Sequence, residues 1–308
     1  MEQILHADYF WIVLCMLAGM LSHVARAARW NLLIGSMGHE TRLSTTFYAV
    51  MTGYLANTAV PRLGEVTRCG VLSRKQQIPF TELFGTVIAE RIFDMVVMLL
   101  IIILVILFQI ELVGAFVDKY VFTPFFSGVG NNLFAILILA GIGLAALVIV
   151  IALWHYYRER LRGFAFYRKL SKFGKGLVLG IKTIKRVRNK GLFLLYTLII
   201  WGLYATMIYL PFFSLQETAH LGFGDAMTVM SIGSLGIVAP VPGGIGTYHF
   251  IVKAILYELY HINPEPAAAF ATITHAAQTL MIIVVGGLSF LMLFLQKNKS
   301  INGPSEIH

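Results

Sequence analysis

The chain has 308 residues, 58% apolar and 13% charged, with 24 Lys and Arg against 15 Asp and Glu for a net charge of +9. A soluble domain is roughly 45–50% apolar and about 25% charged, so a mean hydropathy of +0.78 excludes both a soluble single domain and a disordered chain. This is the composition of an integral membrane protein, with room for about five to eight membrane-crossing or membrane-dipping segments at about 20 residues each.

In chain order, apolar runs fall at 9–28, 43–60, 83–110, 132–154, 191–215, 226–241, 245–260 and 268–295. The runs at 83–110, 132–154, 191–215 and 268–295 are long enough for full spans. The first is a slightly shorter span ending at Arg26 and Arg29, which read as a snorkelling pair at a membrane interface. The runs at 43–60, 226–241 and 245–260 are too short to cross and lie beside Pro/Gly clusters, so they read as half-helices.

Lys/Arg placement sets the orientation. Residues 61–79 hold Arg62, Arg68, Arg74 and Lys75, residues 155–190 hold 12 of the 24 basic residues, and the tail holds Lys297 and Lys299. Residues 111–130 carry only Lys119, and 214–225 and 261–267 carry no Lys or Arg. The first set is expected in the cytoplasm and the second outside. Both are satisfied if 43–79 dips in from the cytoplasm and 226–260 from outside.

The expected fold is therefore an all-α polytopic membrane protein, a single transmembrane domain over 1–297. It contains two inverted repeats of span, re-entrant hairpin and span, at 9–110 and 191–295, around a central linking helix at 132–154. At an offset of 180, Gly53/Gly233, Leu55/Leu235, Ala59/Ala239, Gly64/Gly244 and Thr67/Thr247 match, a pattern that fits transporters built from inverted repeats. Residues 155–190 place Phe166, Leu170, Phe173, Leu177, Ile181 and Ile184 at helical spacing among lysines and arginines. That suits either a helix in the cytoplasmic headgroup layer or a plain positive-inside linker. Residues 298–308 read as a disordered tail. Cys15 and Cys69 have no metal-type or disulfide-type spacing and read as inert thiols.

Three constellations carry polar chemistry. In PRLGEVTR, residues 61–68, Pro61 and Gly64 break the helix, and Arg62, Glu65 and Arg68 share a face. Two guanidiniums with one carboxylate suit a phosphate, or Glu65 merely neutralises one arginine in a turn. The charged run Glu90-Arg91-Ile92-Phe93-Asp94 interrupts an apolar span, where each ion costs about 2.5–3.5 kcal/mol at a helix centre. Arg91 reaches Asp94 at i+3, all three ions are expected to face inward, and the Arg62/Glu65/Arg68 face is their expected partner. A structural ion network and a polar substrate cavity both remain open. In PVPGGIGTYH, residues 240–249, Pro240, Pro242, Gly243, Gly244 and Gly246 preclude a continuous helix, and a helix opens at about Gly246. The loop is either an anion-binding turn, with His249 nearby, or a tight connection between half-helices. His275, Thr274 and Gln278 are further polar neighbours in sequence. No D-x-D pair, metal-type spacing, nucleophile motif or ATP signature occurs, so neither a cofactor, a metal nor catalysis is expected. Nor does a basic excess gathered beside spans imply nucleic acid.

Arg26/Arg29/Trp30, PRLGEVTR, GTVIAERIFD at 85–94 and PVPGGIGTYH, in that order, resemble the lysylphosphatidylglycerol synthase transmembrane family, the flippase half of aminoacyl-phosphatidylglycerol synthases and its stand-alone members. The resemblance implies re-entrant hairpins and a lipid-facing cavity in a multi-pass protein of the bacterial inner membrane. Its partners would be lipids with an anionic headgroup or lipid-linked phosphate, and homo-oligomers are compatible with it. No aminoacyl-transferase domain accompanies the motifs, so no charging of lipids with lysine is expected. Relatives usually begin with one more helix. The function implied is transport of an anionic phospholipid or polyprenyl-linked lipid between leaflets. The alternative is a membrane-embedded enzyme or accessory subunit of glycolipid synthesis.

Overall fold

The computed structural model describes residues 2–109, 123, 182–183, 186–235 and 244–295. The expected linking helix, most of the basic segment, the tail, and Pro240, Pro242 and Gly243 lie outside the described residues. Residues 1–105 and 177–308 form one compact unit, and residues 106–176 a second.

All regular structure among the described residues is helical. A short turn α1 (Glu2–Leu5) precedes α2 (Tyr9–Gly35), α3 (Leu43–Ala59), α4 (Leu63–Gln76) and α5 (Phe80–Phe108). Then follow α6 (Lys190–Phe212), α7 (Phe223–Leu235), α8 (Thr247–Tyr260) and α9 (Pro264–Leu295). Helices α2, α5, α6 and α9, of 27, 29, 23 and 32 residues, are long and apolar enough to cross a membrane. The short helices, of 17, 14, 13 and 14 residues, reach only about 20–25 Å at about 1.5 Å per residue, less than a hydrocarbon core of about 30 Å. The chain is a multi-pass membrane protein in which the order long, short, short, long occurs twice.

Local chemistry sets the helix ends. The Asp8 side chain accepts the Phe10 N–H at 3.0 Å to open α2, and Asn189 accepts the Leu192 N–H at 2.9 Å to open α6. Between α3 and α4, Val60 is extended, as a residue before proline must be, and Arg62 turns the chain at φ 64°. The break falls at 60–62, so Gly64 lies inside the first turn of α4 rather than at the break.

Gly64 instead brings two backbones together. Its N–H donates to Asn57 Oδ1 at 2.6 Å, and a Cβ there would collide with the Gly53 carbonyl oxygen and the Asn57 side chain. A Cβ on Gly53 would lie 2.8 Å from the Gly64 carbonyl oxygen. Helix α9 joins the hairpin in the same way, with Gly286 against the Met51 carbonyl oxygen and Leu55. Helices α2 and α6 run antiparallel: the Asp8 N–H donates to the Ser214 carbonyl at one end, and Arg29 Nη1 to Thr197 Oγ1 at the other. A core of Trp30, Leu33, Ile34, Ala49, Cys69, Leu72, Leu83 and Val87 joins α2 to α3, α4 and α5. The outward faces of α2, α5, α6 and α9 expose large apolar side chains such as Leu17, Leu99, Leu198 and Leu288, as a lipid-facing surface does.

The starts of the two sets of helices differ by 181 residues (Tyr9, Lys190), 180 (Leu43, Phe223), 184 (Leu63, Thr247) and 184 (Phe80, Pro264). The offset of 180 thus holds for α3 and α7 but not beyond. Gly64 is helical whereas Gly244 precedes α8 at φ 74°, so Gly64/Gly244 and Thr67/Thr247 are not equivalent places.

Gly64→Ala is expected to lower stability by about 1–3 kcal/mol, because backbone and Asn57 must both shift. Gly70→Ala, on the same helix with open space at its Cβ, should not lower it. Thermal unfolding of both variants in one detergent checks the pair; equal transitions would refute the close approach.

Candidate functional site

Arg26 and Arg29 lie one turn apart on α2, and Glu90 and Asp94 one turn apart on α5. The helices meet antiparallel, with Trp30 Nε1 donating to Thr86 Oγ1 at 2.8 Å one turn further on. Glu90, 0% exposed, accepts at Oε1 from Arg26 Nη1 at 2.9 Å and Arg29 Nη2 at 3.0 Å, and at Oε2 from Arg68 Nη2 at 3.0 Å. Asp94 faces Arg29 with both oxygens, at 2.7 and 2.9 Å, and accepts from Arg26 at 3.3 Å. Arg26 also donates to the Tyr204 hydroxyl on α6 at 2.9 Å. Each guanidinium lies over an aromatic ring: Arg26 over Tyr204, Arg29 over Phe193 and Arg68 over Trp30, at 5.9, 5.5 and 4.8 Å. Three arginines and two carboxylates leave this buried cluster with a net charge of +1.

A second, shallower pair adjoins it. Arg91 Nη2 donates to Glu65 Oε1 at 2.7 Å, tying α5 to α4, and the Arg91 side chain is 45% exposed. Both residues line a cleft of about 10 Å³, the room one water takes, together with Gly53, Tyr54, Asn57 and Arg68. Glu65 Oε2 is buried and accepts no hydrogen bond.

Two readings of the sequence are corrected here. Arg26 and Arg29 do not snorkel; they are buried, because the apolar pattern continues past them through Trp30, Leu33 and Ile34 and two acids from α5 await them. Arg91 does not face inward with Asp94. On a helix, Glu90 and Asp94 share a face at i,i+4, while Arg91 lies about 100° away from Glu90 and reaches Glu65 instead. The expected partnership between the PRLGEVTR face and the charged run is present, as Arg68–Glu90 and Glu65–Arg91. Arg62, exposed, heads α4 one turn before Glu65. Arg26, Arg29, Thr197 and Tyr204 are partners that sequence reasoning did not assign to the site; two acids on one face against a single inward arginine was the available signal.

The described part of the third constellation forms its own group on α8 and α9. Gly246 caps α8, and its N–H donates to His249 Nδ1 at 3.4 Å. The His249 ring lies 4.8 Å from that of His275, and the Tyr248 hydroxyl is 3.1 Å from Thr274 Oγ1. Among the described residues no group of three or more His, Cys, Asp and Glu is placed to hold a metal ion.

Fold and site together define a multi-pass membrane protein with a buried ion cluster beside a broken helical hairpin. Residues 1–286 match the family described as the lysylphosphatidylglycerol synthase TM region, and the chain belongs to that family. It is 23% identical to the UPF0104 membrane protein MJ1595 of Methanocaldococcus jannaschii, over 92% of this chain and 84% of that one. To the UPF0104 membrane protein PH1989 of Pyrococcus horikoshii it is 23% identical, over 82% and 78%. It is also 22% identical to glycosyltransferase AglD of Haloferax volcanii, over 94% of this chain but only 50% of AglD. No solved structure matches it.

Truncating Glu90 to Ala takes away the acid that holds buried Arg68 and leaves Arg26 and Arg29 to share Asp94, and should cost about 3–5 kcal/mol. Arg91→Ala, removing a half-exposed pair, should cost about 1 kcal/mol or less. Detergent unfolding of the two variants checks this; a larger loss at Arg91 would overturn the assignment of buried and exposed pairs.

Proposed function

We propose that this protein moves an anionic phospholipid or polyprenyl-linked lipid between the leaflets of a cytoplasmic membrane, with no catalytic step of its own. The observation that carries this reading is the cationic surplus at the cleft. Arg91 is half-exposed at its edge, Arg62 stands a turn away, and a buried cluster of charge +1 lies behind them. A phosphate with several acceptor oxygens suits guanidinium forks. Arg68 is held inward by Glu90, so it supplies field rather than contact, and Arg62 and Arg91, whose side chains reach the surface, are the groups a headgroup would meet.

An inverted repeat with re-entrant hairpins belongs to the same proposal. Its support is that the offset of 184 found for α4/α8 and α5/α9 also relates contacts: Glu65–Arg91 maps onto His249–His275. The geometry expected of such repeats places substrate where paired broken helices meet. Similarity to half of AglD, named as a glycosyltransferase, favours a second reading as an accessory component of glycolipid synthesis; sugar-nucleotide binding by the purified protein would decide for it.

In vesicles, the protein should speed exchange of fluorescent phosphatidylglycerol and polyprenyl phosphate over their rates in protein-free vesicles and leave that of neutral diacylglycerol unchanged, with the acceleration in the order Arg62→Ala below Arg62→Lys below parent. No acceleration of the phosphate-bearing lipids over protein-free vesicles refutes the transport reading. Single cysteines replacing Arg74 and His261 should be labelled from opposite sides of the membrane; labelling of both from one side refutes the inverted repeat.

A further inference from the structure

Three carboxylates stand near the cleft, and they differ in what holds them. Glu90 has donors on both oxygens and no exposure, and Asp94 faces two arginines. Neither can change partner or protonation without stranding buried guanidiniums. Glu65 is different. It is held by one guanidinium through one oxygen, its side chain is 24% exposed, and its other oxygen is buried, unpartnered, at a cleft with room for one water. A carboxylate in that state has a ready place for a proton. Its partner Arg91 is also the most exposed cation of the two clusters.

We propose that Glu65 is a stand-in for the lipid phosphate: protonated at Oε2, it releases Arg91, and the phosphate of an anionic lipid takes its place on that guanidinium. This rests on the transport reading above and adds its coupling: one proton taken up by Glu65 from cleft water for each phosphate bound, and given back when the carboxylate reclaims Arg91. Charge is conserved at the site, since a neutral acid and an anionic phosphate replace a carboxylate. The pair also joins the hairpin helix α4 to the spanning helix α5, so the same exchange unlatches the hairpin.

The charged and titratable groups around Glu65 are Arg62, Arg68 and Cys69 from α4, Arg91 and Glu90 from α5, and Tyr54 from α3 with His23 of α2 packed behind it. Of these, Arg68 and Glu90 are locked to each other, and Arg62, His23, Tyr54 and Cys69 are unchanged in the variant that tests the idea.

The test is leaflet exchange of fluorescent phosphatidylglycerol in phosphatidylcholine vesicles between about pH 8 and about pH 4, a span that reaches down into the ordinary carboxylate range. The parent should speed up as pH falls. Glu65→Gln, which keeps the shape and cannot hold Arg91 by charge, should be roughly twofold to fivefold faster than the parent at pH 8, the factor for releasing a half-exposed ion pair, and flat across the range. Arg91→Gln should be slow at every pH. His249 and His275 are common to parent and Glu65→Gln, so the difference between the two profiles isolates Glu65. If Glu65→Gln does not yield folded protein, Glu65→Ala replaces it with the same expectation. A Glu65 variant whose pH profile follows the parent's overturns the stand-in while leaving transport intact. Absence of phosphatidylglycerol exchange in parent and variants at every pH overturns the transport reading and this one with it.

Discussion

A carboxylate with no exposed surface, inside a helix that crosses a membrane, dictates much of this structure. Glu90 is tolerable there only because three guanidiniums reach it from two other helices. Meeting that demand fixes the register of the first half of the molecule. Arg26 and Arg29 on α2 match Glu90 and Asp94 on α5 at the same one-turn spacing, so a slip of one turn between these antiparallel helices would leave a buried charge unpaired. Arg68 adds the hairpin to the same lock, and it gets close enough because Gly53 and Gly64 let α3 and α4 touch backbone to backbone.

Around that point the environment hardens the electrostatics. Trp30, Phe193 and Tyr204 underlie the three guanidiniums, and Trp30 is itself pinned to Thr86. Aromatic faces replace water there, which strengthens each ion pair and raises the penalty for opening it. Burial then falls off in one direction, from Glu90 at 0% to the Arg91 side chain at 45%. The charges behind are buried, and those at the cleft reach the surface.

Much of this was legible in the sequence. Apolar runs located the four long helices, although α2 continues seven residues past its expected end, and they located α3, α7 and α8 where these are described. Helix α4 has no apolar run of its own, while the price of ions in an apolar run correctly sent Glu90 to find a partner on PRLGEVTR. What was not legible is which arginines are buried. A cation near the end of an apolar run has two favourable fates, snorkelling to headgroups or meeting an acid, and only the position of α5 chooses between them for Arg26 and Arg29. Arg91 went astray for a simpler reason: sequence adjacency to Glu90 placed it in the same group, whereas helical periodicity turns it toward another partner.

The proposed repeat makes the two halves unequal in a way that bears on motion. At the offset of 184, Arg68, Glu90 and Asp94 correspond to Val252, Thr274 and Gln278, and the Glu65–Arg91 ion pair to two histidines. The first hairpin is tied to α5 by the buried Arg68–Glu90 pair, about 3–5 kcal/mol to break, and by the half-exposed Glu65–Arg91 pair, about 1 kcal/mol or less, whereas the Tyr248–Thr274 hydrogen bond between α8 and α9 is of the order of 1 kcal/mol. If the proposed repeat and transport hold, two hairpins tied this differently would divide the work of a cycle between them. In the first hairpin the Glu65–Arg91 latch would open while the Arg68–Glu90 pair keeps the buried charges assembled. On the proposed reading, the smaller cost of parting Tyr248 from Thr274 makes α8 the element that would open toward the far side of the membrane.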